Sequence, residues 1–195
     1  MPSLVVLRGN SGCGKTSTAK ALQKKFGRNT MRISADMVRL EILNVKDGAD
    51  SPALPMMMEM LRYGRAHSEV VILEGILPAD IYEPLFRLAV ELYPEHRHAF
   101  YFDLPFEETM RRHQSKPNRG DFGEAEMRRW WREKDYAPTL RESRLRNAIL
   151  TAINAAMSDK SVLLDRIKNA VSLELLPVQN VAQALQLLVQ GKLMK

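Results

Sequence analysis

Leu4-Val5-Val6-Leu7-Arg8-Gly9-Asn10-Ser11-Gly12-Cys13-Gly14-Lys15-Thr16-Ser17-Thr18-Ala19 decides how the rest of the chain is read. Leu4 to Leu7 is a short continuous apolar run that Gly9 ends, and a helical pattern opens near Lys15 with Ala19, Leu22 and Phe26 on one face. Between them, Gly9 to Thr16 satisfies G-x-x-x-x-G-K-[ST] at every fixed position. At average residue frequencies a chance match in a chain of this size is on the order of 1%, and the strand–loop–helix setting lowers that further. Glycines let the backbone curl so that several N–H groups aim at one phosphate chain. The helix start adds unsatisfied donors and partial positive charge. Lys15 can bridge the outer phosphates, and Thr16 can offer its hydroxyl to a magnesium ion that also holds phosphate oxygens. The expected nucleotide-binding set is therefore Gly9, Asn10, Ser11, Gly12, Cys13, Gly14, Lys15, Thr16 and Ser17, with ATP and Mg2+ as ligands. Cys13, at a helix start, has the setting of a reactive thiol.

Outward from the loop, strands alternate with helices. Thr30–Ser34 reads as a second strand, after which Asp36 can cap a helix to about Asn44. A loop over Lys46–Pro52 precedes a helix to about His67, in which Met56, Met57, Met58, Met60 and Leu61 give a pliable apolar surface. Glu69–Glu74 and His98–Asp103 are further strands, separated by a helix striped with Ile81, Leu85, Leu88 and Leu92, and Leu104-Pro105 closes the fourth strand. Helices are expected over about 106–115, 123–135, 139–157 and 178–190, with a short fifth strand at Leu173–Leu176. This alternation predicts an α/β fold with a parallel sheet covered on both faces. The 195 residues suit one domain, 1–195, with a lid at 111–135 and an extra helical segment at 138–170.

Composition narrows the class. There is no apolar run of membrane-spanning length and no secretory pattern at Met1-Pro2-Ser3, so a cytoplasmic protein is expected. One cysteine excludes an internal disulfide and a metal site of cysteine pairs. Residues 111–146 carry eleven Lys and Arg against six Asp and Glu, which accounts for most of the net charge of +6. A basic patch suits nucleotides, phosphorylated metabolites or nucleic acid; a solvated, salt-bridged helical face is the lesser alternative. No Asn-Lys-x-Asp guanine motif is present, and the chain is small for a ring-forming ATPase.

The acceptor side is read from the strand ends, which line the ligand crevice of an open parallel sheet. Asp36, just past the second strand, can take the proton of an attacking hydroxyl; it also reads as a plain cap. Arg39 lies one helical turn on and can hold an anionic part of the acceptor. Glu74-Gly75 ends the third strand, where the carboxylate can reach Mg2+ through water or meet the acceptor and Gly75 allows close approach. Asp103 reads as structural. Arg111, Arg112, Lys116, Arg119, Arg128, Arg129 and Arg132 surround the lid, and Arg112 and Arg119 are the leading candidates to stabilise the transferring phosphoryl group. Trp130 and Trp131 cannot share one face, so one is expected in the core and the other over a base or the site. His113 is the one histidine set in the basic segment.

Leu7–Thr16, Ile72–Leu77, Tyr101–Thr109 and Phe122–Tyr136 together resemble the small P-loop kinases of the nucleoside and nucleotide kinase superfamily, in particular a bacterial group labelled uridine kinase. The resemblance covers roughly residues 1–135. Asp36-x-x-Arg39 is similar to the polynucleotide 5′-kinase pattern, in which the aspartate activates the 5′-hydroxyl and the arginine contacts a neighbouring phosphate. Zeta-toxin and chloramphenicol phosphotransferase families likewise place an aspartate after the second strand. The resemblance implies a three-layer P-loop NTPase fold, a five-stranded parallel sheet of order 2-3-1-4-5 flanked by helices, with a helical lid; Arg141 to Lys168 is extra helix relative to that group. The function it implies is transfer of the gamma phosphoryl of ATP-Mg to a hydroxyl of a small molecule such as a nucleoside. A polynucleotide 5′-kinase, a zeta-toxin-like or antibiotic phosphotransferase, and a nucleotide-gated binding protein with no acceptor are the alternatives.

Overall fold

A computed structural model describes residues 1–114, 120 and 122–146. The strands are β1 (Ser3–Gly9), β2 (Thr30–Ser34), β3 (Val70–Gly75), β4 (Arg97–Phe102) and β5 (Ser143–Leu145), and the α-helices are α1 (Lys15–Phe26), α2 (Ala53–His67), α3 (Ala79–Leu92), α4 (Phe106–Gln114) and α5 (Glu124–Trp130). All strand pairs are parallel and the sheet order is β2-β3-β1-β4-β5, the P-loop NTPase arrangement. Every residue of β1 and β3 is buried, which is why Leu4–Leu7 and Val70–Leu73 read as continuous apolar runs rather than alternating ones.

Side-chain alternation sorts the strands between two faces. Leu4, Val6, Ile33, Val71 and Leu73 join Met57, Leu61, Leu85, Phe86 and Ala89 in the core beneath α2 and α3. Residues of the opposite parity, among them Val5, Ile72, Arg32 and Glu74, therefore face the α1 side. The chain passes from β1 to β2 on one side and from β3 to β4 on the other, so a crevice opens above the C-terminal end of β1.

Two expected elements take other forms. After β2 the backbone winds into a π-helix, Met37–Ile42, with Leu43 N–H donating to the Val38 carbonyl at 3.0 Å. Asp36 is already helical (φ −67°, ψ −41°) and its side chain caps nothing, so the cap reading of Asp36 fails. The helix expected from 139 is absent over its described part. A 3-10 turn at Pro138–Leu140 leads through Arg141, at φ 53°, into β5, which pairs with β4 from Phe100↔Ser143 to Phe102↔Leu145. The rest of that segment, Leu173–Leu176 and the helix expected at 178–190 lie outside the described residues. The helix expected over 123–135 is shorter, running from Glu124 to Trp130.

Candidate active site

The loop between β1 and α1 turns back on itself because its glycines allow it. Gly12 sits at φ 81°, and a Cβ there would stand 2.6 Å from the Thr109 carbonyl oxygen of α4. Gly14, at φ 104°, ends the loop as α1 begins. Lys15 is buried, and its Nζ donates to the Asn10 carbonyl at 2.8 Å and to Cys13 Sγ at 3.5 Å. The Cys13 thiol is wholly buried, so it has no open surface for reaction. Thr16 Oγ1 donates to Glu74 Oε2 at 2.9 Å, a link that ties the start of α1 to the end of β3.

Arg112 reaches the loop from α4. Its Nη1 donates to the Cys13 carbonyl at 3.1 Å and its Nε to Glu108 at 2.6 Å. Arg111 also binds Glu108 through two bonds of 2.8 Å. Arg111 first, and Arg112 after it, hold the Glu108 carboxyl well below its ordinary 4.5, at about 2. Asn10, at a variable position of the motif, does more than fill space. Its Nδ2 donates to the Arg132 carbonyl at 2.8 Å and its Oδ1 accepts from the Arg132 amide at 2.9 Å. The chain emerging from α5 is thus fastened to the phosphate loop by a closed pair of hydrogen bonds.

On the acceptor side, Arg39 Nη2 donates to Asp36 Oδ1 at 2.8 Å, while Arg39 Nε lies 3.9 Å from Asp47. Asp47 in turn accepts from the Tyr82 hydroxyl at 2.6 Å. Burial, and then Asp47 itself, push the Tyr82 hydroxyl far above its ordinary value of 10.0, so it stays a donor. Asp36 remains more than half exposed. The space over Gly75 is taken by the chain itself: a Cβ would stand 2.7 Å from Ala35 Cβ and 3.1 Å from Leu77 Cγ. Glycine there lets the turn that carries Asp36 press against the end of β3.

A cavity of about 630 Å3 lies beside the phosphate loop, bordered by Asn10, Phe106, Trp131, Lys134 and the strand ends Asp103 and Arg146. Trp131 meets Phe106 edge-on with centroids 5.2 Å apart, and Trp130 meets Phe122 edge-on at 5.1 Å. Neither tryptophan enters the core, contrary to expectation, because Met127 takes the buried position of α5. Asp103 accepts from the Tyr136 hydroxyl at 3.1 Å, the structural part expected of it.

A family model described as AAA domain matches residues 4–140. The chain belongs to this family. Among solved structures, the chain is similar to a gluconokinase from Sinorhizobium meliloti 1021, with a TM-score of 0.54, 18% identity, and 95% of this chain and 96% of that chain covered. It is also similar to a tunicamycin resistance protein from Deinococcus radiodurans, with a TM-score of 0.51, 14% identity and 90% and 98% coverage. A chain in a Pnkp1/Rnl/Hen1 complex gives 24% identity and a TM-score of 0.43 over 57% of this chain and 38% of that one, so the match spans well under half of that chain's length. No curated protein matches in sequence. The likenesses to the gluconokinase and the tunicamycin resistance protein show the fold alone.

The AAA domain brings Lys15, Thr16, Glu74 and Arg112 together around the loop, and Asp36 with Arg39 beyond β2. Arg119 and Lys116 lie outside the described residues. Three residues that the sequence did not single out matter here. Arg8 is fully buried at the end of β1 and binds Asp135, Glu142 and the Leu77 carbonyl. Arg32 holds Glu74 at 2.8 Å, and Asp47 holds Arg39. Nothing local marks any of them, since an arginine in a strand and an aspartate in a loop are ordinary. Among the described residues no helix is long and apolar enough to cross a membrane, and no group of three or more His, Cys, Asp and Glu is placed to hold a metal ion.

Proposed function

We propose that this chain is a kinase that moves the gamma phosphoryl of ATP-Mg onto a hydroxyl of a small, anionic acceptor. The observation that carries the reading is the pairing of the Gly9–Thr16 loop with an exposed carboxylate, Asp36, whose oxygen Oδ1 is held by Arg39. The loop amides and Lys15 bind the phosphates. The cavity beside Asn10, walled by Phe106 and Trp131, takes the nucleotide base. Asp36 accepts the proton of the attacking hydroxyl through its second oxygen. Arg39, shared between Asp36 and Asp47, fixes a carboxylate or phosphate of the acceptor. Arg112, which touches the loop backbone, and Arg119 neutralise charge that develops on the phosphoryl oxygens. Residues 111–135 act as the lid that excludes water.

Magnesium fits the residues present. A hydroxyl on Thr16 and a carboxylate on Glu74 are hard oxygen groups, and they already touch. Thr16 would hold the ion directly and Glu74 from one step behind, and the ion would supply charge to the phosphate oxygens.

The basic segment favours a small acceptor over a polynucleotide. Arg111 and Arg112 are paired with Glu108, Arg128 with Glu124, and Arg132 with Asp80 and Asp135, so these arginines form an ion-pair network rather than an open cationic track. The test is a gamma-labelled ATP screen over nucleosides, sugar acids such as gluconate, amino sugars, antibiotics and 5′-hydroxyl oligonucleotides, run with the unaltered protein and with Asp36→Ala. Asp36→Ala should keep nucleotide affinity within about twofold and lower transfer by about 10²–10⁴-fold. Equal loss of binding and transfer would show that Asp36 is not the base. Label on oligonucleotides alone would replace the small acceptor with a nucleic-acid end.

A further inference from the structure

Glu74 is almost wholly buried, at 2% exposure, and both its oxygens are engaged: Oε2 accepts from Thr16 and Oε1 from Arg32 Nη1 at 2.8 Å. Strand geometry makes this contact. Arg32 is paired with Ile72 in the β2–β3 register, and Glu74 is two residues farther on, on the same α1-facing side. The guanidinium, 16% exposed, leans along the strand to the carboxylate. A hydroxyl has one proton and two lone pairs. With its proton committed to Glu74, Thr16 turns its lone pairs away from Glu74, as holding a cation requires.

We infer that Arg32 is a positioning residue for the magnesium ion of the bound nucleotide: it locks Glu74 so that Glu74 orients the Thr16 hydroxyl. The inference rests on the ATP-Mg reading above. Without Arg32, a buried carboxylate loses one of its two partners and is free to rotate away from Thr16. Thr16 then binds the metal from a disordered rotamer. Residues one step behind a metal ligand typically change metal affinity by about 10- to 100-fold. Because Arg32 sits behind Glu74, itself one step removed, the low end applies.

The experiment is equilibrium binding of a fluorescent ATP analogue to the full chain, titrated with magnesium chloride and repeated in chelator. For Arg32→Met the expected result is a roughly 10-fold rise in the magnesium needed for half-saturation, with binding in chelator within about twofold of the unaltered protein. Arg32→Lys, which keeps the charge, should recover part of the shift. Glu74→Gln should shift magnesium dependence in the same direction, and combining it with Arg32→Met should add little, because both changes act through one contact. A merely structural tie between β2 and β3 would lower thermal stability and leave the magnesium midpoint in place. An unchanged midpoint in folded Arg32→Met, or in Arg32→Lys and Glu74→Gln if Arg32→Met does not fold, overturns the inference while the kinase reading stands. Failure of the unaltered protein to bind the analogue at all overturns both.

Discussion

Replacing Arg8 by methionine should cost this protein about as much stability as emptying a buried core position. The Arg8 side chain is 0% exposed, and its partners Glu142 and Asp135 are 3% and 14% exposed. It donates to Glu142 at 2.9 and 3.0 Å, to Asp135 at 2.9 Å and to the Leu77 carbonyl at 2.7 and 2.9 Å. Its guanidinium also lies over the Phe86 ring at 4.9 Å. Methionine fills much of the volume but leaves two carboxylates and a buried carbonyl facing it. Removing one member of a buried ion pair typically costs about 3–5 kcal/mol. Here the figure should sit near 3 kcal/mol, because Glu142 keeps the Ala137 amide and Asp135 keeps the Ala79 amide. For a chain of this size that is a fall in melting temperature of roughly 6–12 °C. Burial already holds the Glu142 carboxyl above its ordinary 4.5 despite Arg8. A carboxyl raised on folding opposes stability once the pH exceeds its unfolded value, so the carboxylate part of the Arg8→Met deficit should be greatest at neutral pH, shrink as the pH falls toward about 4.5 and be absent below it. Urea melts from pH 4 to pH 8, with the compensated variant Arg8→Met/Asp135→Asn/Glu142→Gln alongside, provide the measurement. The compensated variant should regain at least half of the loss. A single variant within about 1 kcal/mol of the parent, or a compensated variant no better than the single one, would refute the view that unpaired buried charge is the cost.

Two other outcomes are expected. Gly12→Ala combines a positive φ with a Cβ placed 2.6 Å from the Thr109 carbonyl; it should destabilise the fold by about 2–4 kcal/mol and weaken ATP binding, both read from thermal melts with and without nucleotide. Glu108 is held at about 2 by Arg111 and Arg112, so its contribution is complete above pH 4.5 and lost as the pH falls toward 2. The melting temperatures of the parent and Glu108→Gln should therefore converge over that window, and parallel curves would contradict the assignment.

The phosphate loop was legible because its chemistry demands particular residues at fixed spacing, and β1 and β3 because burial on both faces gives the apolar runs Leu4–Leu7 and Val70–Leu73. Asp36 and Arg39 were legible as neighbours across one turn, although the turn is a π-helix, whose i to i−5 bond leaves no mark in the sequence. Arg8 was not legible as a buried residue. Its partners Asp135 and Glu142 are 127 and 134 positions away, and only the path of the chain after α5 brings them to β1. Three-residue β5 is shorter than any periodicity can reveal, and an arginine-rich stretch beside it reads as helix until its pairing with β4 is seen.

Charge in the crevice is largely answered by charge, and that decides which cation can change partners when a triphosphate arrives. Arg8 is committed to two carboxylates, Arg32 to Glu74, Arg39 to Asp36 and Asp47, and Arg112 to Glu108 as well as the loop backbone. An arginine paired with a carboxylate gains a full charge–charge attraction that a lysine on a carbonyl does not. Lys15 is held by a backbone carbonyl and by Cys13 Sγ, with no carboxylate among its described partners. A phosphate therefore competes for Lys15 on the most favourable terms available among these five cations. The arginines remain in place as a frame around it, with Arg112 set against the loop by the same Glu108 that holds Arg111. On this account the specificity of the loop for phosphate follows less from the abundance of positive charge than from how selectively that charge has been left with weak partners.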